Sequence, residues 1–268
     1  MHRILPIRTA VLVLLAFAAG GAGQAVAEPD LVLGYDMYFS GITIMQLEAR
    51  LDLAGGTQGE YTITVEGRTV GLVDTLKPIA FTAMSEGVAN GYGLQPALYA
   101  TTTEKRSKRK GLTVTFLPYG TPVTRFTPPD DEEEPAPPEL LEDSLDPVSA
   151  FLSLMRSVSD TSSCTGTIQV FDGKRRYDVE VADLPHEVLQ KSSYSIYGGE
   201  TQRCRGTMIP RYGFGPGNPK MFDRTTIWFG HVLRDAPPVP VRIDAEIGIA
   251  AARLYLVSVR WLDQRANR

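Results

Sequence analysis

Chemically versatile side chains are scarce in this chain, whose 268 residues include two cysteines, two tryptophans and three histidines. His2 stands at the extreme start, so only His186 and His231 remain for the body of the protein. A serine-histidine-carboxylate arrangement needs a histidine oriented by a carboxylate and a serine on an exposed turn. No G-x-S-x-G occurs, and Asp183, His186 and Glu187 share a DLPHE segment that reads as a loop open to water. Neither cysteine has a second Cys or His at ligand spacing, which removes a structural zinc site. A G-x-x-x-x-G-K-S/T phosphate loop and a D-x-D-x-D-G-x-E calcium loop are both missing. The sequence therefore assigns no catalytic residue, no metal ligand and no cofactor.

Long uncharged runs are also missing after the first residues, because charges, Gly or Pro interrupt each one before the ~20 apolar residues of a membrane span. The start is different. His2, Arg3 and Arg8 precede an uncharged stretch from Ala10 to Ala19, and a small-residue tail ends in Ala25-Val26-Ala27. That is the pattern of an export signal over residues 1–27, cleaved near Ala27 and Glu28, with the periplasm as destination and residues 28–268 as the working chain. An oxidising compartment makes Cys164 and Cys204 a disulfide candidate, with two separate buried thiols as the alternative. Export, and a lack of aromatic residues among the basic ones, set nucleic acid aside as a partner.

The formal net charge of −4 conceals an uneven distribution. Nine acidic residues and no basic one lie between Asp130 and Asp146. Outside that stretch the exported chain carries 25 basic and 22 acidic residues, a mildly basic body with one acidic insert. Prolines flank the acids, so residues 127–145 read as a solvated connector, with weak calcium or protein binding as its functional alternative. Lys105, Arg106, Lys108, Arg109 and Lys110 form a compact basic cluster closed by Gly111. It reads as a charged hairpin tip, or as a contact for anionic lipid headgroups or an acidic partner.

What the chain has in abundance is alternation. Leu31, Leu33, Tyr35, Met37 and Phe39 share one face of an extended segment, and Met45, Leu47, Ala49, Leu51 and Leu53 share another opposite Gln46, Glu48, Arg50 and Asp52. Period two means strand, and polar residues on the second face mean antiparallel strands that cover a core from one side. Similar pieces recur around residues 112–116, 168–181, 225–229, 239–247 and 253–261, with Asp172-Gly173 as a hairpin signal. One helix interrupts them over about residues 146–158. Asp146 suits its N-cap, Pro147 its first position, and Val148, Phe151, Leu152, Met155 and Val158 paint one apolar face. The expected fold is all-β and mainly antiparallel, a single strongly curved sheet, half-barrel or β-spiral with that helix packed in it as a plug. Tyr194, Tyr197, Phe214, Trp228 and Trp261 read as core or as the lining of an apolar cavity.

Several of these residues also carry a likeness. Tyr35 to Gly41 (YDMYFSG), Asp146-Pro-Val-Ser-Ala150, Cys164, the run Val170-Phe-Asp-Gly-Lys-Arg-Arg-Tyr-Asp178, Ser193 to Gly198 (SYSIYG), Cys204 and Pro240-Val-Arg-Ile243 resemble a domain-of-unknown-function family of periplasmic proteins from alphaproteobacteria. The resemblance implies a secreted all-β envelope protein, similar in architecture to the half-barrels of lipoprotein carriers or to envelope-integrity β-spiral proteins. It pairs Cys164 with Cys204 and transfers nothing catalytic. Beside the resemblance, the leading functional expectation is a non-enzymatic protein that binds an apolar ligand or partner segment, a lipid or lipoprotein, on a concave sheet face. A scaffold that docks another periplasmic protein through charged loops is the alternative, with an envelope hydrolase as a third class. Read physically, Phe171 to Lys174 is a turn, and Arg176 and Asp178 share the solvated face or form a pair that contributes about 0–1 kcal/mol.

Overall fold

Because side chains on a strand alternate between faces, a chain with period-two patterning over most of its length buries one side of a sheet and wets the other. The computed structural model describes residues 30–53, 59–118, 120–129, 136–215, 224–234, 236–247 and 250–262. The expected export signal and the acids Asp130 to Glu134 lie outside the described residues. The described residues hold thirteen strands: β1 (Asp30–Phe39), β2 (Ile42–Asp52), β3 (Gly59–Thr69), β4 (Ile79–Asn90), β5 (Gly93–Lys105), β6 (Lys108–Thr115), β7 (Val123–Thr127), β8 (Gly166–Phe171), β9 (Arg176–Leu189), β10 (Gly199–Tyr212), β11 (Thr225–Gly230), β12 (Val239–Ile247) and β13 (Ala250–Leu262). They form one sheet in the order β7-β6-β5-β4-β3-β2-β1-β13-β12-β11-β10-β9-β8. Each strand pairs antiparallel with its neighbours, and the first strand meets the last, Leu33 opposite Val259.

The sheet curls without closing. Register shifts at Gly34/Tyr35, Met37/Tyr38, Glu86/Gly87 and Trp228/Phe229 add the local bend that turns a wide sheet into a barrel-like wall. Its two ends approach through side chains instead of backbone pairing. Gly173, in the β8–β9 turn at φ +93°, lies so close to β6 that a Cβ there would meet Leu112 and Val114 at 2.9 and 3.0 Å. Lys174 Nζ sits 4.6 Å from the centre of the Phe126 ring on β7. The outer edge of β8 is covered as well, since Leu145 N donates to Gln169 O and Phe171 N donates to Leu145 O. An edge so covered is withdrawn from pairing with other chains.

Inside the curl lies helix α2 (Pro147–Thr161). Leu152, Met155 and Val158 join Leu31, Leu33 and Tyr35 of β1, Ile63 of β3, Val241 of β12 and Leu256 of β13 in one core. A second short helix, α1 (Gly71–Leu76), connects β3 to β4 and buries none of its residues. The expectation of one packed helix holds, because α1 packs into no core; its six residues leave no apolar periodicity long enough to read.

Two expectations change. The DLPHE segment is no loop. Residues 183–187 belong to β9, where a register shift opposite Thr201 to Arg203 accommodates Pro185, which has no N–H for the ladder. The 127–145 connector is solvated only in part, with Thr127 to Pro129, Pro138, Glu139, Glu142 and Asp143 exposed but Ala136, Leu141 and Ser144 buried. A short 3-10 turn, Pro138–Leu140, is followed by buried Leu141, and Ala136 and Leu141 pack with Tyr99, Val114 and Phe171.

Candidate functional site

Helix α2 is apolar on more than the face that its sequence pattern advertises. Beside the stripe through Leu152, Met155 and Val158 runs a second one, Pro147, Ala150, Phe151 and Leu154, at i, i+3, i+4 and i+7, so that Phe151, expected on the first face, lines this one instead. This second stripe faces β8 to β11 and does not fill the space before them. A pocket of about 160 Å³ remains, lined by those four residues with Ile168 and Val170 of β8, Tyr177, Val179 and Val181 of β9, Gly206 and Met208 of β10, and Thr225 and Ile227 of β11. No lining residue is charged. Burial pushes the Tyr177 phenol upward from its ordinary value, so it stays neutral, and its ring meets Phe214 edge to face at 6.2 Å. Gly206, with no side chain, leaves the middle of the floor open.

The pocket's movable wall would be α2, and α2 is fixed at both ends. At its start Asp146 is fully buried, with Oδ1 accepting from Val148 N and Ser149 N at 2.9 Å each. Oδ2 accepts from Ser149 Oγ at 2.6 Å and from Ser85 Oγ on β4 at 2.8 Å. Tyr61 on β3 completes the group through Ser149 Oγ at 2.8 Å, and burial pushes its phenol up to about 12. Burial also raises the Asp146 carboxyl above its ordinary value, against the hydrogen bonds from Ser149, Ser85 and Val148 that pull it down. At its finish the helix ends in left-handed Ser162, and two residues later Cys164 is bonded to Cys204 of β10. The disulfide expected from compartment and resemblance is therefore present, and both sulfurs are buried. One helix thus ties β3 and β4 to β10.

Asp183 lies beside both sulfurs, a grouping that could be mistaken for a metal centre. Its carboxylate accepts from Ser163 Oγ at 2.7 Å, Cys164 N at 2.8 Å, Thr165 Oγ1 at 3.2 Å and Gln202 Nε2 at 2.9 Å. The hydrogen bond from Ser163, ahead of those from Cys164, Thr165 and Gln202, holds its carboxyl below the usual range. Its work is to lock the segment that follows α2.

The VFDGKRRYD run forms the turn that brings the sheet ends together. Asp172 Oδ1 accepts from Lys174 N and Arg175 N, which shapes the turn, while Oδ2 pairs with Arg175 Nε at 3.0 Å. Arg176 and Asp178 do form a pair, at 2.5 Å, but it is buried and not solvated as expected. Arg176 also donates to Leu140 O at 2.8 Å and to Gln169 Oε1 at 2.6 Å, pinning the connector to β8. Arg211 from β10 reaches Asp178 Oδ2 at 2.6 Å. Burial pushes the Asp178 carboxyl up, yet the hydrogen bonds and charges of Arg176 and Arg211 outweigh it and hold the group below its ordinary range. With the folded value depressed, this carboxylate stabilises the protein above its unfolded pKa of about 3.9 and loses that contribution as pH falls through the folded value. Asp178→Asn is expected to lower stability by about 2 kcal/mol at pH 7, as for loss of a hydrogen-bonded charge, with the gap closing in acid; urea melts at pH 7 and pH 3 read both.

The remaining candidates are dispersed. Lys105, Arg106, Lys108, Arg109 and Lys110 occupy the exposed β5–β6 hairpin, Lys105 opposite Lys108. His186 is exposed on β9 and His231 is exposed just after β11. Of the five aromatic residues, Trp228 is core, Tyr194 and Trp261 are largely exposed, and none lines the pocket. The sequence reading missed the pocket; the Pro147-Ala150-Phe151-Leu154 stripe and a glycine inside β10 were its available signals.

Among curated proteins no match is found. A family profile described as "Protein of unknown function (DUF3108)" matches residues 34–257. Among solved structures, the crystal structure of a beta-barrel-like protein of the domain of unknown function DUF1849 from Brucella abortus is 13% identical, with a TM-score of 0.53, over 89% of this chain and all of that one. A candidate lipoprotein from Parabacteroides distasonis is 8% identical, with a TM-score of 0.40, over 87% of this chain and 96% of that one. The first likeness shows a shared barrel-like fold.

Proposed function

The chain belongs to the DUF3108 family, and from that premise we propose that it is a non-enzymatic envelope protein of the periplasm that holds an apolar guest between α2 and strands β8 to β11. The observation that carries this reading is the pocket itself, about 160 Å³ with no charged residue in its lining. Export is supported by the leader-like residues 1–27 and by a buried disulfide of the kind that persists outside the cytoplasm. No helix among the described residues is long and apolar enough to cross a membrane.

Size narrows the guest. Sites for whole drug-sized ligands occupy roughly 300–1,000 Å³, whereas a dry apolar cavity of roughly 150 Å³ takes one benzene-sized molecule. The site therefore holds the end of one alkyl chain, about six carbons, and not a whole lipid. At about 0.8 kcal/mol per buried methylene, such an end supplies about 5 kcal/mol before the cost of immobilising it, which corresponds to weak, exchangeable binding.

That arithmetic makes a sharp test. In calorimetric titrations with straight-chain fatty acids, affinity is expected to rise about fourfold per methylene and then level off beyond about six buried carbons. Gly206→Leu, which puts a side chain into the floor where a Cβ meets nothing closer than 3.5 Å, is expected to abolish binding with the melting temperature unchanged. Affinity indifferent to chain length, or an undiminished Gly206→Leu variant, would overturn the reading.

A further inference from the structure

The antiparallel register gathers three connections at one end of the sheet. Phe39 faces Ile42 across the β1–β2 turn, Met45 faces Thr69 where β3 gives way to α1, and Ile79 faces Lys105 at the β5–β6 hairpin. Two hydrogen bonds tie them into one rim. Val70 N donates to Ile44 O at 3.2 Å, and Arg106 Nη2 reaches Leu76 O at 3.5 Å.

The side chains on this rim are ordered by polarity. Leu72 and Leu76 lie at i and i+4 on α1, so they share a face, and they are 71% and 66% exposed; Ile42, at the start of β2 on the same rim, is 62% exposed. A six-residue helix that buries nothing gains no folding energy from two leucines in water. Around them stand seven cations, Arg68, Lys77 and the hairpin's Lys105, Arg106, Lys108, Arg109 and Lys110, all exposed, against three carboxylates, Asp74, Glu104 and Asp36, the last in the same cross-strand row as Arg68. All three carboxylates are engaged, Asp74 with Thr69 Oγ1 at 2.8 Å, Glu104 with Arg109 at 3.6 Å, and Asp36 accepting from Gln46 Nε2 at 3.2 Å.

We propose that this rim seats the protein on an anionic bilayer surface, with Leu72, Leu76 and Ile42 in the headgroup and acyl boundary and the cations on lipid phosphates. An apolar centre flanked by basic residues is the pattern by which interfacial segments bind such surfaces. Composition favours lipid over a protein partner. Four of the seven cations are lysines, a residue that protein interfaces deplete. The proposal rests on surface residues alone and is independent of the pocket.

Flotation of the chain from Glu28 onward with vesicles tests it, the leader-like residues being left out because they would bind lipid themselves. Binding is expected to phosphatidylglycerol-containing vesicles and not to phosphatidylcholine alone. Neutralising Lys105, Arg106 and Lys108 together should weaken it on the order of 100-fold, about fivefold per cation. Leu72→Ser with Leu76→Ser should weaken it roughly tenfold at an unchanged melting temperature. Leu76→Trp should add emission that shifts to the blue when phosphatidylglycerol vesicles are added. Equal binding to both vesicle types, no blue shift, full binding by the double serine variant, or leucine-dependent self-association without vesicles would each overturn the proposal.

Discussion

Replacing Asp146 with alanine is expected to remove about 3–5 kcal/mol of stability, a large part of what a domain has. The loss combines a helix N-cap, about 1 kcal/mol, with two buried serine hydroxyls deprived of their carboxyl acceptor at about 1–3 kcal/mol each. Ser85 and Ser149 still hold one another at 2.8 Å, which keeps the sum toward the lower part of that range. Urea denaturation followed by circular dichroism reads the effect as a shifted midpoint. The conservative Asp146→Asn variant isolates the charge. Because burial raises the folded carboxyl, the native state retains its proton longer than the unfolded chain does. The contribution of Asp146 is then fully present below the unfolded value of about 3.9 and declines as pH rises through the folded one. The deficit of Asp146→Asn should accordingly be largest in acid and shrink toward neutrality. Asp178→Asn behaves in the opposite sense, since its folded value is depressed. Two asparagine variants with opposing pH trends would be hard to reproduce by any general loosening of the fold.

These two carboxylates also mark where sequence reading stops. Strands were legible because their signal is local; Leu47, Ala49 and Leu51 alternate with Glu48 and Arg50 whatever the rest of the chain does. The cap was legible for the same reason, Asp146 and Pro147 standing next to the amides they serve. What Asp146 does beyond the cap depends on Ser85, 61 residues away, and no local pattern reports that. Arg176 and Asp178 alternate with Tyr177 as solvated residues would, yet Arg211 and Leu140 close over them from other elements. The pocket was hidden by a related ambiguity. A helix packed against one surface shows one stripe, whereas a helix enclosed by a curled sheet carries two, and the second stripe of α2 looks like scatter until β8 to β11 are placed beside it. The rim residues Leu72 and Leu76 were silent because two leucines in a six-residue helix establish no period.

Removing the disulfide by Cys164→Ala with Cys204→Ala is expected to cost about 4 kcal/mol from the entropy of closing a loop across 40 positions. The physical interest lies in where the loss is felt. Cys164 sits just beyond the last turn of α2, so the bond fixes the helix end against β10, whose Gly206 and Met208 floor the pocket. Asp183 accepts hydrogen bonds from the same junction and would hold it only in part once the bond is gone. The double alanine variant should therefore lose alkyl-chain binding under conditions where its far-ultraviolet spectrum still reports native strand content. Amide hydrogen exchange should show α2 opening at a lower free energy than β1 and β13, which pair at the centre of the sheet. Asp146 remains in place in that variant, so the helix start should stay protected while its finish exchanges. Uniform loss of protection across α2 and the central strands would mean that helix and sheet unfold as one unit, and that the pocket is held by the whole core instead of by two clamps.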